Sequence, residues 1–292
     1  RPGHEATTPV FMEELKNDIS YASHKSLLNF DNDATSCYDR IITAIASILG
    51  RANGLHPNIV FVHAGTLREA KYKLKTLLGV SDEFYSHCKI FPIYGTGQGS
   101  ANSPVIWTLV SSTLFHCHEH RGNGATFITP DRSTSIHISM VGFVDDSTGQ
   151  VNHFEADTQP NPEELAELMK IDAQLWSDLL WVSGGRLELA KCSYHQIHFD
   201  FLSDGTPSMR AGKVTSQILI TDPKTGLEIP ITSKSVLNTH KTLGHYRAPA
   251  GTGKTQLDAL KSKSKLMAKQ DSSSPMSSRT VPYTHLPLPP IY

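Results

Sequence analysis

Apolar positions recur along this chain in two periods, and their alternation predicts both helices and strands. Phe11, Leu15 and Ile19, four apart, predict a helix over 11–19. Leu27–Asp33 reads as a strand, with Leu28, Phe30 and Asn32 on one face and Asn29, Asp31 and Asp33 on the other. A helix is expected from about Asp39 to Leu49, with Ile41, Ile45, Ile48 and Leu49 as its stripe and Gly50 as its stop. Another is expected from about Thr66 to Leu78, through Leu67, Ala70, Leu74 and Leu77, ending at Gly79. Ile90–Tyr94 reads as a short strand, which Pro92 confines to an edge or a bulge.

Ser103 and Pro104 form a helix start, N-cap then N1, and Val105, Ile106, Leu109, Thr113 and Leu114 carry that helix toward His120. Ile136, Ile138 and Met140 alternate with His137, Ser139 and Val141, the period of a half-buried strand. Ser147–Val151 returns as its partner, which places Asp145 and Asp146 at or beside the turn. Asn161-Pro162-Glu163-Glu164 opens a further helix with an N-cap, a proline and acids in the first turn. Leu165, Leu168, Leu175, Trp176 and Leu179 form its buried face, and Gly184-Gly185 ends it. Leu187–Lys191, then Ile197, Phe199 and Phe201, predict a turn and a strand. Ser216–Ile220 and Leu227–Ile231 predict a hairpin about Asp222-Pro223-Lys224-Thr225-Gly226, and Thr242–Tyr246 one more strand. Residues 261–282 read as a charged helix running into a loop, or as disorder, and 285–292 are Pro-rich.

The 292 residues allow one large domain or two small ones, and the start at Arg1 rather than Met suggests a fragment. No apolar run approaches a membrane span and no signal peptide opens the chain. Cys37, Cys88, Cys117 and Cys192 form no Cys-x-x-Cys pair and read as reduced thiols of an intracellular protein. The net charge of −1 does not by itself point to nucleic acid. Its distribution is uneven: between Lys241 and Arg279 stand eight Lys/Arg and two Asp. That segment fits a polyanion contact or, equally, a solvated helix face.

Adjacent carboxylates at a hairpin tip repel one another, and a hard divalent cation such as Mg²⁺ offsets that cost. Alone, Asp145-Asp146 is more simply a solvated turn. Asp31 and Asp33, on one face at a strand's end, add a possible metal half-site. Gly95-Thr96-Gly97-Gln98-Gly99-Ser100 feeds a helix N-terminus, a place for a phosphate or nucleotide as well as a plain loop-to-helix joint. Gly253-Lys254-Thr255 lacks the glycine a phosphate loop needs, since Ala248 stands there. The histidines of His116–His120 point in different directions on a helix and do not converge on one zinc ion.

In order, these pieces resemble the palm of a reverse transcriptase of the non-long-terminal-repeat retroelement and group II intron type. Asp33-Ala34-Thr35-Ser36-Cys37-Tyr38-Asp39 resembles the first motif, an aspartate followed by an aromatic. Gln98-Gly99-Ser100-Ala101-Asn102-Ser103-Pro104 resembles the second, Q-G-x-x-x-S-P, at every fixed position. Phe143-Val144-Asp145-Asp146 resembles the third, and Gly184-Gly185 leading to Lys191-Cys192 the fourth. Arg1-Pro2-Gly3 looks like an element just upstream of the palm, and Leu243-Gly244 like the strand after it. The resemblance covers roughly residues 1–262; each motif is weak alone, and the second and third, spaced correctly from the first, are strong together.

The resemblance implies an α+β polymerase palm with a βαββαβ (ferredoxin/RRM-like) core, partial fingers and a truncated thumb. Residues 1–26 would be the end of the fingers, 27–262 the palm, and 263–292 the start of a thumb or disorder. The implied activity is RNA-directed DNA polymerisation in a retrotransposon-like element, with an RNA template, a DNA primer, deoxynucleoside triphosphates and no membrane. Two Mg²⁺ ions, or Mn²⁺, would sit between Asp33 and Asp145, with Asp146 and the Ala34 carbonyl supporting. Asp31 rivals Asp33 for that role, and the spacing to Tyr38 favours Asp33. Tyr38 would select against a 2′-hydroxyl, or else be a core aromatic. Gln98, Gly99 and Phe143 would line the nucleotide pocket. Lys191 would act near the leaving pyrophosphate, or be a solvated surface lysine. An RNA-templated RNA polymerase palm and a non-catalytic nucleic-acid-binding relic are the competing implications. With little of the fingers before Arg1, the chain alone is expected to fold at the palm and to extend a primer poorly.

Overall fold

The computed structural model describes residues 7–35, 37–88, 95–96, 100, 102–144, 146–153, 161–211, 216–242 and 245–273. Helix α1 (Thr7–Ser23) leads into β1 (Leu27–Asp33), the strand that the alternation predicts. A short α2 (Cys37–Arg40), then α3 (Thr43–Ala52) and α4 (Pro57–Glu69), follow. Two small ribbons come next, made by β2 (Lys71–Tyr72) with β5 (Tyr85–Ser86) and by β3 (Lys75–Thr76) with β4 (Gly79–Val80). Helix α5 (Ser103–Arg121) precedes a separate hairpin, β6 (Ala125–Ile128) with β7 (Ser135–Ile138). Strands β8 (Met140–Phe143) and β9 (Asp146–Asn152) form the next hairpin, and α6 (Pro162–Ser183) leads to β10 (Ser193–Ile197). The remainder is a series of short pairs: β11 (Phe199–Phe201) with β12 (Pro207–Met209), and β13 (Leu219–Thr221) with β14 (Glu228–Pro230). Strand β15 (Thr232–Ser233), the hairpin of β16 (His240–Thr242) and β17 (His245–Arg247), and α7 (Lys254–Ser273) complete the described chain. No helix of the described residues is long and apolar enough to cross a membrane.

The main sheet has the order β15-β10-β1-β9-β8. Its pairs are antiparallel except β10 with β15. Between β1 and β8 the chain passes through α5, and between β9 and β10 through α6. Strand β1 is central, paired from Leu27↔Asn152 to Asp33↔Asp146 on one side and from Leu27↔Ile197 to Asp31↔Ser193 on the other. Its even-numbered residues Leu28 and Phe30 join Val151, Tyr194, Met169 and Trp176 in the main core. The Trp176 ring stacks on Phe115 with centroids 5.1 Å apart, and its indole donates to Asn32 Oδ1 at 3.1 Å. Each such buried aliphatic or aromatic side chain contributes about 1.5–3 kcal/mol.

Helix α6 starts as the sequence indicates. Asn161 is the N-cap of a full capping box with Glu164, and Pro162 follows it. Gly184 ends it at φ 97°, and a Cβ there would meet the Arg40 carbonyl oxygen at 2.1 Å, so the position requires glycine.

Several expectations are corrected. The helix expected from Asp39 breaks at Ile41-Ile42, where backbone N–H groups turn to other partners: Ile42 donates to the Ser183 carbonyl. Gly50 lies inside α3 rather than ending it, packed beneath Leu55, and Asn53 is the C-cap. The helix expected over 66–78 instead ends at Glu69, and Lys71–Thr76 alternates with the period of a ribbon, Leu74 and Leu77 exposed. Asn102 takes the N-cap position of α5 in place of Ser103, without a side-chain capping bond, and Ile106, Trp107, Val110 and Leu114 are its buried stripe while Val105 is exposed. The alternating run 136–141 divides between two sheets at Ser139, with Ile136 exposed, because β7 pairs with β6 and β8 with β9. The strand expected at 242–246 is a hairpin on either side of residues 243–244. The expectations for 90–94 and for 274–292 lie outside the described residues.

Candidate active site

At the end of the central sheet, Asp33 of β1 stands directly opposite Asp146 of β9, and Asp146 in turn opposite Phe143 of β8. Both aspartates and Phe143 line a cleft of about 150 Å³ on the sheet face away from α5 and α6. Asp31, Lys191, Lys234, His240 and Lys241 line it too. The cleft therefore joins acceptor-only carboxylates with a margin of ammonium groups.

Lys191 reaches this point because the turn after α6 is zipped onto the end of β1. Ala34 and Leu187 form an antiparallel bridge. Thr35 N–H donates to the Arg186 carbonyl at 2.8 Å, and Glu188 N–H to the Asp33 carbonyl at 2.9 Å. Lys191 Nζ then lies 2.9 Å from Asp33 Oδ2. The hydrogen bond to Asp33, and then its charge, raise the Lys191 pKa above the ordinary lysine value. The ammonium is thus held charged against the carboxylate. Burial pushes the neighbouring Cys192 thiol up to about 12, so it stays protonated and inert.

The turn between β8 and β9 is held from below. Val144, a β-branched residue, has φ 59°, a conformation that costs energy and needs support from its surroundings. The buried Trp107 indole donates to the Val144 carbonyl. The same Trp107 meets the Tyr38 ring edge-on, with centroids 6.3 Å apart. The start of the glycine-rich loop is bonded to that segment as well. Thr96 N–H donates to the Tyr38 carbonyl at 2.8 Å and Gly95 N–H to the Ile41 carbonyl at 2.9 Å. Gly95 has φ 88°, and a Cβ there would meet the Asp39 backbone at 2.5 Å.

Of the residues singled out in the sequence, Asp33, Ala34, Phe143, Asp146 and Lys191 gather at this sheet end. Tyr38 lies beneath the turn, partly buried against the core. Asp145, Gln98 and Gly99 lie outside the described residues. Asp31, the alternative to Asp33, turns instead to His195 and His240, at 3.6 and 3.8 Å. Burial works to raise the Asp31 pKa, but interaction with His195, His240, Arg247 and Lys234 outweighs it and holds the carboxyl below its usual range. No local feature of the chain marks Trp107 as a support or the two histidines as partners of Asp31, since both contacts join segments distant along the chain.

No family profile and no curated protein matches this chain. Among solved structures it is similar to telomerase from Candida albicans in complex with a TWJ fragment of telomeric RNA: 15% identity, TM-score 0.45, 90% of this chain and 38% of that one. The corresponding telomerase complex from Candida tropicalis gives 14% identity and a TM-score of 0.43 over 76% of this chain and 32% of that one. Apo telomerase from Candida tropicalis truncated from its C-terminal domain gives 16% and 0.41 over 79% and 39%. The chain thus spans about a third of the length of the telomerases it matches.

Proposed function

We propose that this chain carries the palm of an RNA-directed DNA polymerase of the retroelement type, residues 27–262, between the end of the fingers and the start of a thumb. One observation carries the reading: the first, third and fourth motifs meet at one sheet end, Asp33 opposite Asp146 with Lys191 on Asp33. Nucleotidyl transfer joins a primer 3′-hydroxyl to an α-phosphate, and charge grows on the attacking and leaving oxygens. The residues fit Mg²⁺: the carboxylates of Asp33 and Asp146 offer hard oxygens on one cleft, and a cation, Lys191, already compensates Asp33. Asp33, Asp145, Asp146 and the Ala34 carbonyl would hold it. When bound, Mg²⁺ supplies stabilisation of charge on both oxygens.

The chain's own residues supply position and charge. Lys191, released from Asp33, places its ammonium toward the leaving pyrophosphate as a charge stabiliser or proton donor. Tyr38, braced by Trp107, closes the space beside the sugar and favours deoxynucleotides. Gln98 and Gly99 line the base and sugar through the loop that Gly95 and Thr96 tie down.

Primer extension on an RNA template by a polypeptide that adds fingers and thumb to this palm, with deoxy- and ribonucleotides compared, tests the reading. Tyr38→Val is expected to raise relative ribonucleotide incorporation, and Asp33→Asn to abolish extension. Extension that Asp33→Asn leaves intact would sink the proposal. An unchanged sugar ratio in Tyr38→Val would return Tyr38 to the core.

A further inference from the structure

Two residues before Asp33, on the same face of β1, Asp31 faces His195 of β10 and His240 of β16. The three donor atoms lie within 4.8 Å of one another. Asp31 Oδ1 accepts from Thr148 Oγ1 at 3.3 Å, which orients the carboxylate. Its Oδ2 is 3.6 Å from His195 Nδ1 and 3.8 Å from His240 Nε2, too far for hydrogen bonds. Asp31 Oδ2 and His240 Nε2 are both buried with no hydrogen-bond partner. Buried polar atoms left unpaired are costly, and two of them aimed at each other leave room for an ion between them.

We propose that Asp31, His195 and His240 bind a divalent transition-metal ion of the zinc class. Two imidazole nitrogens and one carboxylate oxygen are donors that such ions accept and that Mg²⁺ does not favour. Bonds of about 2.0–2.1 Å in tetrahedral geometry put ligand atoms about 3.3 Å apart, near the 3.6 and 3.8 Å of the two pairs with Asp31, and the two imidazoles, within 4.8 Å, close toward each other on binding. The protonation states fit as well. Burial holds the His195 imidazole neutral, its pKa down at about 3, and lowers that of His240.

The surroundings supply an outer layer and an opening. His195 Nε2 lies 3.2 Å from the Asn29 amide, which is itself bonded to Asn17. The Asn29 Nδ2 contact backs the ring with Nδ1 facing Asp31. Asp31 and His240 also line the cleft, so a fourth position faces solvent. Lys234 and Arg247 lie near; Arg247 is 3.6 Å from Glu13, the carboxylate that also pairs with Lys16. Their repulsion keeps the affinity below that of a closed four-ligand site. A bound ion would tie the β16–β17 hairpin to the central sheet, a cross-link independent of the oxygens of Asp33 and Asp146.

Cobalt titration of the chelator-treated chain tests this, read by visible d–d absorption with Zn²⁺ as competitor. One equivalent should bind the parent and be displaced by Zn²⁺ but not by Mg²⁺. Loss of outer-shell partners weakens metal sites about 10–100-fold, so His240→Ala, which removes a ligand, should weaken binding at least that much. His195 is deep in the sheet and its replacement risks unfolding, so His240, on the peripheral hairpin, carries the test. Asp33→Asn should retain the cobalt band. Zn²⁺ should raise the thermal midpoint of the parent and not that of folded His240→Ala. A parent without the band in excess Co²⁺, or a His240→Ala variant that binds as the parent does, would overturn the site. Either result leaves primer extension, and so the polymerase reading, unaffected.

Discussion

The two faces of the central sheet are buried in different ways. Toward α5 and α6, β1 presents Leu28 and Phe30 to a core of aliphatic and aromatic side chains. Toward α1 and the β16–β17 hairpin, the same strand presents Asn29 and Asp31, and the side chains that meet it are polar. Lys16, nearly fully buried, donates to Glu13 and to Gln150, and Arg247 approaches Glu13. Burial lowers the Lys16 pKa, while Glu13 opposes that shift. An apolar layer gains stability from every methylene, whereas a buried ionic layer roughly cancels its own desolvation and gains chiefly in uniqueness of arrangement. The apolar face thus carries stability and the ionic face placement.

The largest effect should fall on the apolar face. Phe30→Ala is expected to cost about 3–5 kcal/mol in urea unfolding, since the site lies between two strands that cannot collapse onto it. A loss under about 1 kcal/mol would show that this layer is not the stabilising one.

On the ionic face, Lys16→Met is expected to cost about 3 kcal/mol, because it leaves Glu13 buried with only the longer Arg247 contact. The double variant Glu13→Gln/Lys16→Met should recover more than half of that. If the double variant is as unstable as the single, the network contributes net stability and the contrast between the faces fails.

At the open end of the ionic face, function and stability should separate. Asp33→Asn should reduce primer extension by at least about 10²-fold. Lys191→Met should reduce it less, and neither should move the thermal midpoint appreciably, because Lys191 is exposed and its ion pair is screened by solvent. A large midpoint shift with intact extension would make this pair structural.

The smallest effect is a pH dependence on the apolar face. His118 is buried against the Asp172 carbonyl and the Trp176 ring, and burial lowers its pKa from 6.5. The unfolded chain takes up a proton near pH 6.5 that the folded chain does not. This contribution to stability is therefore present above that pH and lost as pH falls below it. Urea midpoints at about pH 7.5 and about pH 5.5 should differ less in His118→Gln than in the parent. An equal slope would remove His118 from the account.

Local chemistry was legible in the residues themselves. The alternation of Leu27–Asp33 placed Asp33 on the face opposite Leu28 and Phe30, because side chains of a strand alternate whatever it pairs with. The cap and proline of α6, its glycine stop and the hairpin carrying Asp146 follow from dihedral preferences that act within a few residues. Helix extents between 39 and 80 were misread for the same reason. Gly50 is a stop in isolation but packs inside α3 once Leu55 lies over it, and Leu74 and Leu77 suit a helix stripe until no core meets them.

The sequence by itself therefore determined which residues share a face, where helices begin, and which carboxylates stand near a turn. Tertiary structure alone decided which distant groups meet: Lys191 with Asp33, Trp107 with the Val144 carbonyl, and Asp31 with His195 and His240. Short-range preferences are set by the backbone and by immediate neighbours, but those meetings depend on strand register and on how α1, α5 and the β16–β17 hairpin lie against the sheet. Register and docking are properties of the whole packed chain, set by the burial of many side chains at once.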